Sequence, residues 1–214
     1  MTVRGVIFDM DGVLVDSGEH HRAAWQALLA ELGTTVSSAE FWRLTIGRPA
    51  HEAVSLLLGR ELAYDEAMQL AGRKRDLYRH FARRGAVPVP GVTDFVGSIA
   101  QSGITCAVAT SASRHDARHV LTSLGLAGHF GAVVTAEDVT RGKPDPEVYL
   151  RAAAGIGVSP HDCLVFGDAV VGVQAARQAG MRVIGVTTAH SSDELNTAGA
   201  ERAIANFEGL TWPV

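Results

Sequence analysis

The sequence predicts an α/β fold: a parallel sheet covered by helices on both faces, with a block of helices inserted after the first strand. Two observations point to it. Five short apolar runs, each suited to a strand buried on both faces, alternate with segments of helical spacing. Residues 16–90 break that alternation, because they hold several helical patterns and no convincing strand.

The elements justify themselves in order. Residues 3–8 are apolar and rich in β-branched side chains, and the run stops at Asp9. Inside the insertion, residues 20–32 have apolar side chains at helical spacing and stop at Gly33. Ser37 and Glu40 have the spacing of a capping box. Pro49 is placed to open a helix ending at Gly59, and residues 65–84 read as a long helix ending at Gly85. Further strands are expected at 104–109, 132–135, 163–166 and 183–186. The helices between them fall at 92–101, 115–124, 146–154 and 173–179, with Gly103, Gly125, Gly155 and Gly180 just past their ends. Residues 1–15 and 91–214 therefore form a Rossmann-like core, and 16–90 an inserted helical cap. Hinges are expected near 16–19 and 86–91, where the second carries the stiff sequence VPVPG.

Composition narrows the function classes. The chain has 214 residues, 47% apolar and 20% charged, an ordinary globular balance. A net charge of −4 argues against a nucleic-acid partner. No apolar run spans a bilayer and no signal-peptide pattern is visible, so no membrane partner is expected. Cys106 and Cys163 sit in apolar segments and read as buried thiols of a cytoplasmic protein, monomeric or weakly dimeric. Of the 19 basic residues only Lys74 and Lys143 are lysine, so each invites a reason.

Chemistry gathers where strands end. Asp9 and Asp11 follow the first strand, Thr110 and Ser111 the second. Lys143 lies after the third, in RGKPDP, and Asp168 follows the fourth. Right-handed crossovers bring all of them to one sheet edge, where ligands of such folds bind. Carboxylates, a lysine and a hydroxyl converging there are costly to bury without partners. A hard divalent cation such as Mg²⁺ and a phosphate group would satisfy them together. Gly155 and Gly157 form a GxG, but it follows a helix and lacks the later glycine, so a dinucleotide site is not expected.

DMDGVLVDS, ATSAS, RGKPDP and GDxxxG followed by AARQAGM resemble the motifs of the haloacid dehalogenase-like superfamily, in that family's order from Asp9 to Gly180. The insertion resembles that family's small helical cap. The resemblance implies a Mg²⁺-dependent phosphatase of small phosphorylated metabolites. Asp9 would be the nucleophile and Asp11 the general acid and base. Gly12 would let backbone approach the phosphate, Thr110 and Ser111 would bind it, and Lys143 would neutralise charge. Asp9, Asp168 and the backbone carbonyl of Asp11 would hold Mg²⁺. Positions where many relatives carry a further acid read Gly167 and Gly172 here.

In the insertion, HHRAAW resembles the cap entrance of sugar-phosphate phosphatases and β-phosphoglucomutases. It nominates His21 and Trp25 as substrate contacts, with helix core the competing role for Trp25, while IGRPA between two helices nominates Arg48 and GRKRDLYR nominates Lys74, with a solvated helix face its competing role. A phosphomutase is the second expectation, although Ala50 stands where mutases usually carry arginine. A non-catalytic phosphometabolite binder is the third, motivated by Gly167 and Gly172.

Overall fold

A computed structural model describes residues 3–37, 41, 44–82 and 85–214. Six strands form one sheet: β1 (Gly5–Phe8), β2 (Thr105–Ala109), β3 (Ala132–Val134), β4 (Cys163–Gly167), β5 (Arg182–Val186) and β6 (Arg202–Ile204). Their order is β3-β2-β1-β4-β5-β6, and every adjacent pair is parallel. The order reverses beside β1, and that reversal opens a crevice at the strand C-terminal ends. Phe8 pairs with both Val108 and Phe166, so Asp9, Thr110 and Asp168 leave the sheet at nearly one level. The five expected strands are present to within two residues. The sixth was not expected: it is three residues long, lies at the edge and begins with an exposed arginine, so it carries no usable alternation.

The described helices are α1 (Gly18–Glu31), α2 (Ala50–Leu58), α3 (Tyr64–Phe81), α4 (Val92–Gln101), α5 (Arg114–Ser123), α6 (Glu147–Gly155), α7 (Val170–Gln178) and α8 (Ser192–Ala198). Alternation along β1 sends Val6 and Phe8 to one face and Ile7 to the other. Val6 and Phe8 pack with α4, α5 and Phe207, while Ile7 packs with α6 and α7. Phe8 stacks on Phe166 at 5.2 Å between ring centres. Trp25, Leu28, Phe41, Val54 and Leu57 form a separate apolar cluster within the inserted helices. The segments entering and leaving the insertion run side by side: Asp16 N–H donates to the Val87 carbonyl (2.8 Å) and Val89 N–H to that of Leu14 (3.2 Å). Gly155 is the last residue of α6 rather than its stop; Gly157, at φ +67°, makes that turn. The capping box expected at Ser37 and Glu40, and the expected helix end at residues 83 and 84, lie outside the described residues.

Candidate active site

Asp9 extends β1 beyond its last residue, its N–H bonded to the Phe166 carbonyl at 2.9 Å. One carboxylate oxygen accepts from the Met10 N–H (2.9 Å) and the other from Lys143 Nζ (2.5 Å). Lys143 Nζ also donates to the Ala109 carbonyl at 3.2 Å, which ties the end of β2 to the same centre. Lys143 is 1% exposed, Asp9 5% and Asp168 6%. Lys143 reaches this depth because its loop is tightly held. The Glu147 carboxylate gathers the Thr140 and Arg141 N–H groups and the Thr140 hydroxyl, and Asp145 accepts the Glu147 N–H at the start of α6.

Charge at this centre does not balance. Burial pushes the Asp9 carboxyl up, against the pull of Lys143. Asp168 is pushed well up by burial and then by the charge of Asp9. Burial would lower Lys143, but Asp9 and Tyr149 together raise it. Two carboxylates thus face one ammonium, and a further cation would relieve both. The donors available are carboxylate oxygens and loop carbonyls, a hard oxygen set. Among the described residues no cluster of three or more His, Cys, Asp or Glu side chains is placed to hold a metal. Mg²⁺ is compatible with that, since it takes one or two carboxylates and fills its remaining positions with other oxygens and water.

Gly12 is required here for two reasons. Its φ is +72°, and a Cβ would overlap the Asp168 carboxylate. The close approach this glycine permits is therefore to Asp168. Thr188 Oγ1 donates to the Gly12 carbonyl at 2.6 Å, and His190 Nδ1 bonds the Asp168 carbonyl at 3.1 Å. These two residues after β5 hold the Asp9 and Asp168 loops together, and the sequence reading missed them.

Asp11 turns the other way, toward the inserted helices. Oδ1 accepts from Ser17 Oγ (2.5 Å) and meets His21 Nε2 (3.0 Å), and His21 Nδ1 lies 2.7 Å from Lys74 Nζ. Lys74 can only donate, so Nδ1 accepts, the proton sits on Nε2, and the ring donates to Asp11. Burial and the Lys74 charge push the His21 pKa down, which matches a neutral ring. Burial alone would raise Asp11; the His21 ring, Ser17 and Lys74 overcome it and hold the carboxyl at about 2. Burial lowers Lys74 to about 8. The Tyr78 ring stacks on His21 at 4.3 Å, and Lys74 Nζ lies 5.2 Å from the Trp25 ring centre. Trp25 belongs to the apolar cluster of the insertion and meets this network at Lys74.

Thr110 is buried, its N–H bonded to the Val134 carbonyl and its Oγ1 accepting from Ala112 N–H at 3.0 Å. Ser111 Oγ donates to the Gly47 carbonyl at 3.2 Å, so this strand end touches the insertion. Arg48 is the next residue. Its Nε is buried and has no hydrogen-bond partner among the described residues. The structure thus brings Asp9, Lys143 and Asp168 into one centre, with Asp11, His21 and Lys74 in a chain leading from it. Ser17 and Tyr78 join that chain unanticipated, although Ser17 closes the DMDGVLVDS motif.

The chain matches the family model of haloacid dehalogenase-like hydrolases over residues 3–180. It is 33% identical to validoxylamine A 7'-phosphate phosphatase of Streptomyces hygroscopicus subsp. limoneus, over 97% of this chain and 95% of that protein. It is 35% identical to fructose-1-phosphate phosphatase YqaB of Escherichia coli (strain K12), over 85% and 95%. A β-phosphoglucomutase crystal structure from Clostridium difficile superposes with a TM-score of 0.87 at 25% identity, covering 99% of this chain and 94% of that one. The strand order, the chemistry at the strand ends and these likenesses agree: the chain belongs to the haloacid dehalogenase-like hydrolases.

Proposed function

We propose that this protein is a Mg²⁺-dependent phosphatase of small phosphate monoesters, sugar or polyol phosphates, working through an aspartyl phosphate. The observation that carries this reading is the buried Asp9–Lys143 pair beside Asp168 at the ends of β1 and β4. An Asp9 oxygen forms the new bond to phosphorus as the ester P–O bond breaks. Lys143 holds Asp9 in place and offsets charge on the phosphoryl group. Thr110 and Ser111 supply donors to its oxygens. Asp11 delivers a proton to the departing oxygen, then accepts one from the water that cleaves the aspartyl phosphate. The geometry described above, with Asp11 ionised and held by Ser17 and His21, is the base form; the acid step uses the protonated carboxyl, which requires Asp11 to leave those hydrogen bonds. Asp9, Asp168 and the Asp11 carbonyl would hold Mg²⁺, which supplies charge neutralisation at the phosphoryl group.

Residues 16–90 act in this reading as a cap that closes over the substrate about the paired hinge segments. Arg48, with an uncommitted guanidinium nitrogen beside the Ser111 contact, is the residue placed to grip substrate oxygens. The validoxylamine and fructose-1-phosphate relatives favour polyhydroxylated substrates. The test is phosphate release from a panel of sugar and polyol phosphates, with Mg²⁺ and with a chelator. We expect metal-dependent release that Asp9→Asn lowers by at least about 1,000-fold, as losing a nucleophile does. Equal release by the variant would reject the reading. The likeness to β-phosphoglucomutases keeps a phosphomutase as second reading. Conversion of a hexose 1-phosphate to its 6-phosphate without free phosphate would select it.

A further inference from the structure

Tyr149 on α6 is fully buried; its hydroxyl faces the Lys143 ammonium and interacts with it, but completes no well-formed hydrogen bond among the described residues. A phenylalanine would fill the same volume without desolvating a hydroxyl, so the oxygen calls for an explanation. Its position supplies one. A Cβ built at Gly172 would lie 3.4 Å from this hydroxyl, 3.5 Å from Asp9 Oδ2 and 4.0 Å from Lys143 Cδ. A Cβ at Gly167 would meet only the same hydroxyl, at 3.8 Å. Lys143 Nζ lies 5.0 Å from the ring centre. The phenol oxygen therefore stands between the two glycines of the GDAVVG segment and beside the nucleophile. That is the space a longer side chain at either glycine would enter.

We propose that Tyr149 is a positioning residue of the catalytic centre: its hydroxyl binds a water of the bound cation from the place where Gly167 and Gly172 present no side chain. The inference rests on the metal-dependent reading above. The tyrosine serves as a neutral substitute for a carboxylate. It orients a water in the cation's shell and adds no third negative charge to a centre that already holds two carboxylates and one ammonium.

The experiment measures Mn²⁺ binding by electron paramagnetic resonance on phosphate-free protein, for the wild type, Tyr149→Phe and Asp168→Asn. Unfolding temperature and the Mg²⁺ dependence of activity are recorded alongside. We expect Tyr149→Phe to weaken Mn²⁺ binding roughly 10-fold, in the range for a residue that orients metal ligands. The Mg²⁺ concentration for half activity should rise in parallel. The unfolding temperature should stay close to that of the wild type, because the hydroxyl completes no well-formed hydrogen bond. Unchanged Mn²⁺ binding in Tyr149→Phe, with binding lost in Asp168→Asn, would make Tyr149 a packing residue and leave the metal site standing. Wild-type binding in Asp168→Asn would overturn the metal site itself, and this inference with it.

Discussion

Both lysines of the chain are buried, and both stand in one network of charges. Arginine supplies the other basic side chains of the sequence. At these two positions a compact ammonium fits where a planar guanidinium would not. They differ in electrostatics. Lys143 is raised by Asp9 and stays charged, whereas burial lowers Lys74 to about 8. Lys74 is therefore the lysine that titrates near working pH. Its charged form fixes the His21 tautomer, and with it the hydrogen bond to Asp11. We expect kcat/KM to fall as pH rises past about 8, and this limb to vanish in Lys74→Gln at a lower plateau. The stability effect has the opposite sign. Between about 8 and the ordinary 10.5, the unfolded chain binds more protons at this lysine than the folded one. Stability from this group therefore rises with pH across that window. Lys74→Met should lose that rise and unfold at a higher temperature at pH 7, measured by calorimetry at a series of pH values.

At the scale of elements, the loop between β3 and α6 decides where Lys143 sits, and Glu147 decides the loop. Its carboxylate takes the Thr140 and Arg141 N–H groups, the Thr140 hydroxyl and Arg151. The hydrogen bond from Thr140, then Arg151, hold this carboxyl at about 2, below the ordinary 4.5. Its contribution is therefore complete above about 4.5 and lost as pH falls toward 2. We expect Glu147→Gln to unfold earlier than the wild type at neutral pH and to lose part of the acid dependence between those values. Its kcat should fall about 10-fold as Lys143 loosens, with KM little changed; steady-state kinetics and acid titrations check both. Neither Thr140 nor Glu147 was picked out from the sequence as supporting Lys143. Asp9, Thr110 and Asp168 were legible as candidates because each directly follows a strand, and apolar runs mark strand ends well; Lys143, His21 and Lys74 were named from motif resemblance. Thr188 and His190 also follow a strand, but their shorter hydrogen bonds are to backbone carbonyls, which no side-chain motif announces. The α8 capping box at Ser191 and Glu194 was a readable signal, whereas three-residue β6 offered none. Glu147 and Tyr149 lay within an expected helix, where helical spacing says which face is buried but not what a polar atom meets.

At the scale of the whole molecule, the insertion touches the core both beside the site and well away from it. Near the site, beside the Asp11 contacts with Ser17 and His21, Ser111 bonds the Gly47 carbonyl, and Pro49 packs on Gly142 one residue before Lys143. Farther out, Arg79 on α3 spans to Asp116 on α5, with Nε at 2.9 Å from Oδ1 and a second nitrogen at 2.8 Å. The Ser111 and Pro49 contacts depend on shape and one neutral hydrogen bond. The Arg79 contact depends on charge and is partly exposed, so salt weakens it. Asp116 is also bound to Ser113 at the head of α5, which fixes where the clamp attaches. If residues 16–90 close over the substrate, this pair biases the molecule toward closure by about 0.2–1 kcal/mol, the range of exposed pairs. Arg79→Ala should then raise KM by about 1.4- to 5-fold, the same range expressed as a binding ratio. kcat should stay near the wild-type value, because no reacting group is disturbed. Raising the salt concentration should raise the wild-type KM toward that of the variant and leave the variant's almost unmoved. A salt dependence that survives unchanged in Arg79→Ala would place the electrostatic contribution elsewhere, at the phosphate itself, and remove the clamp from the closing motion.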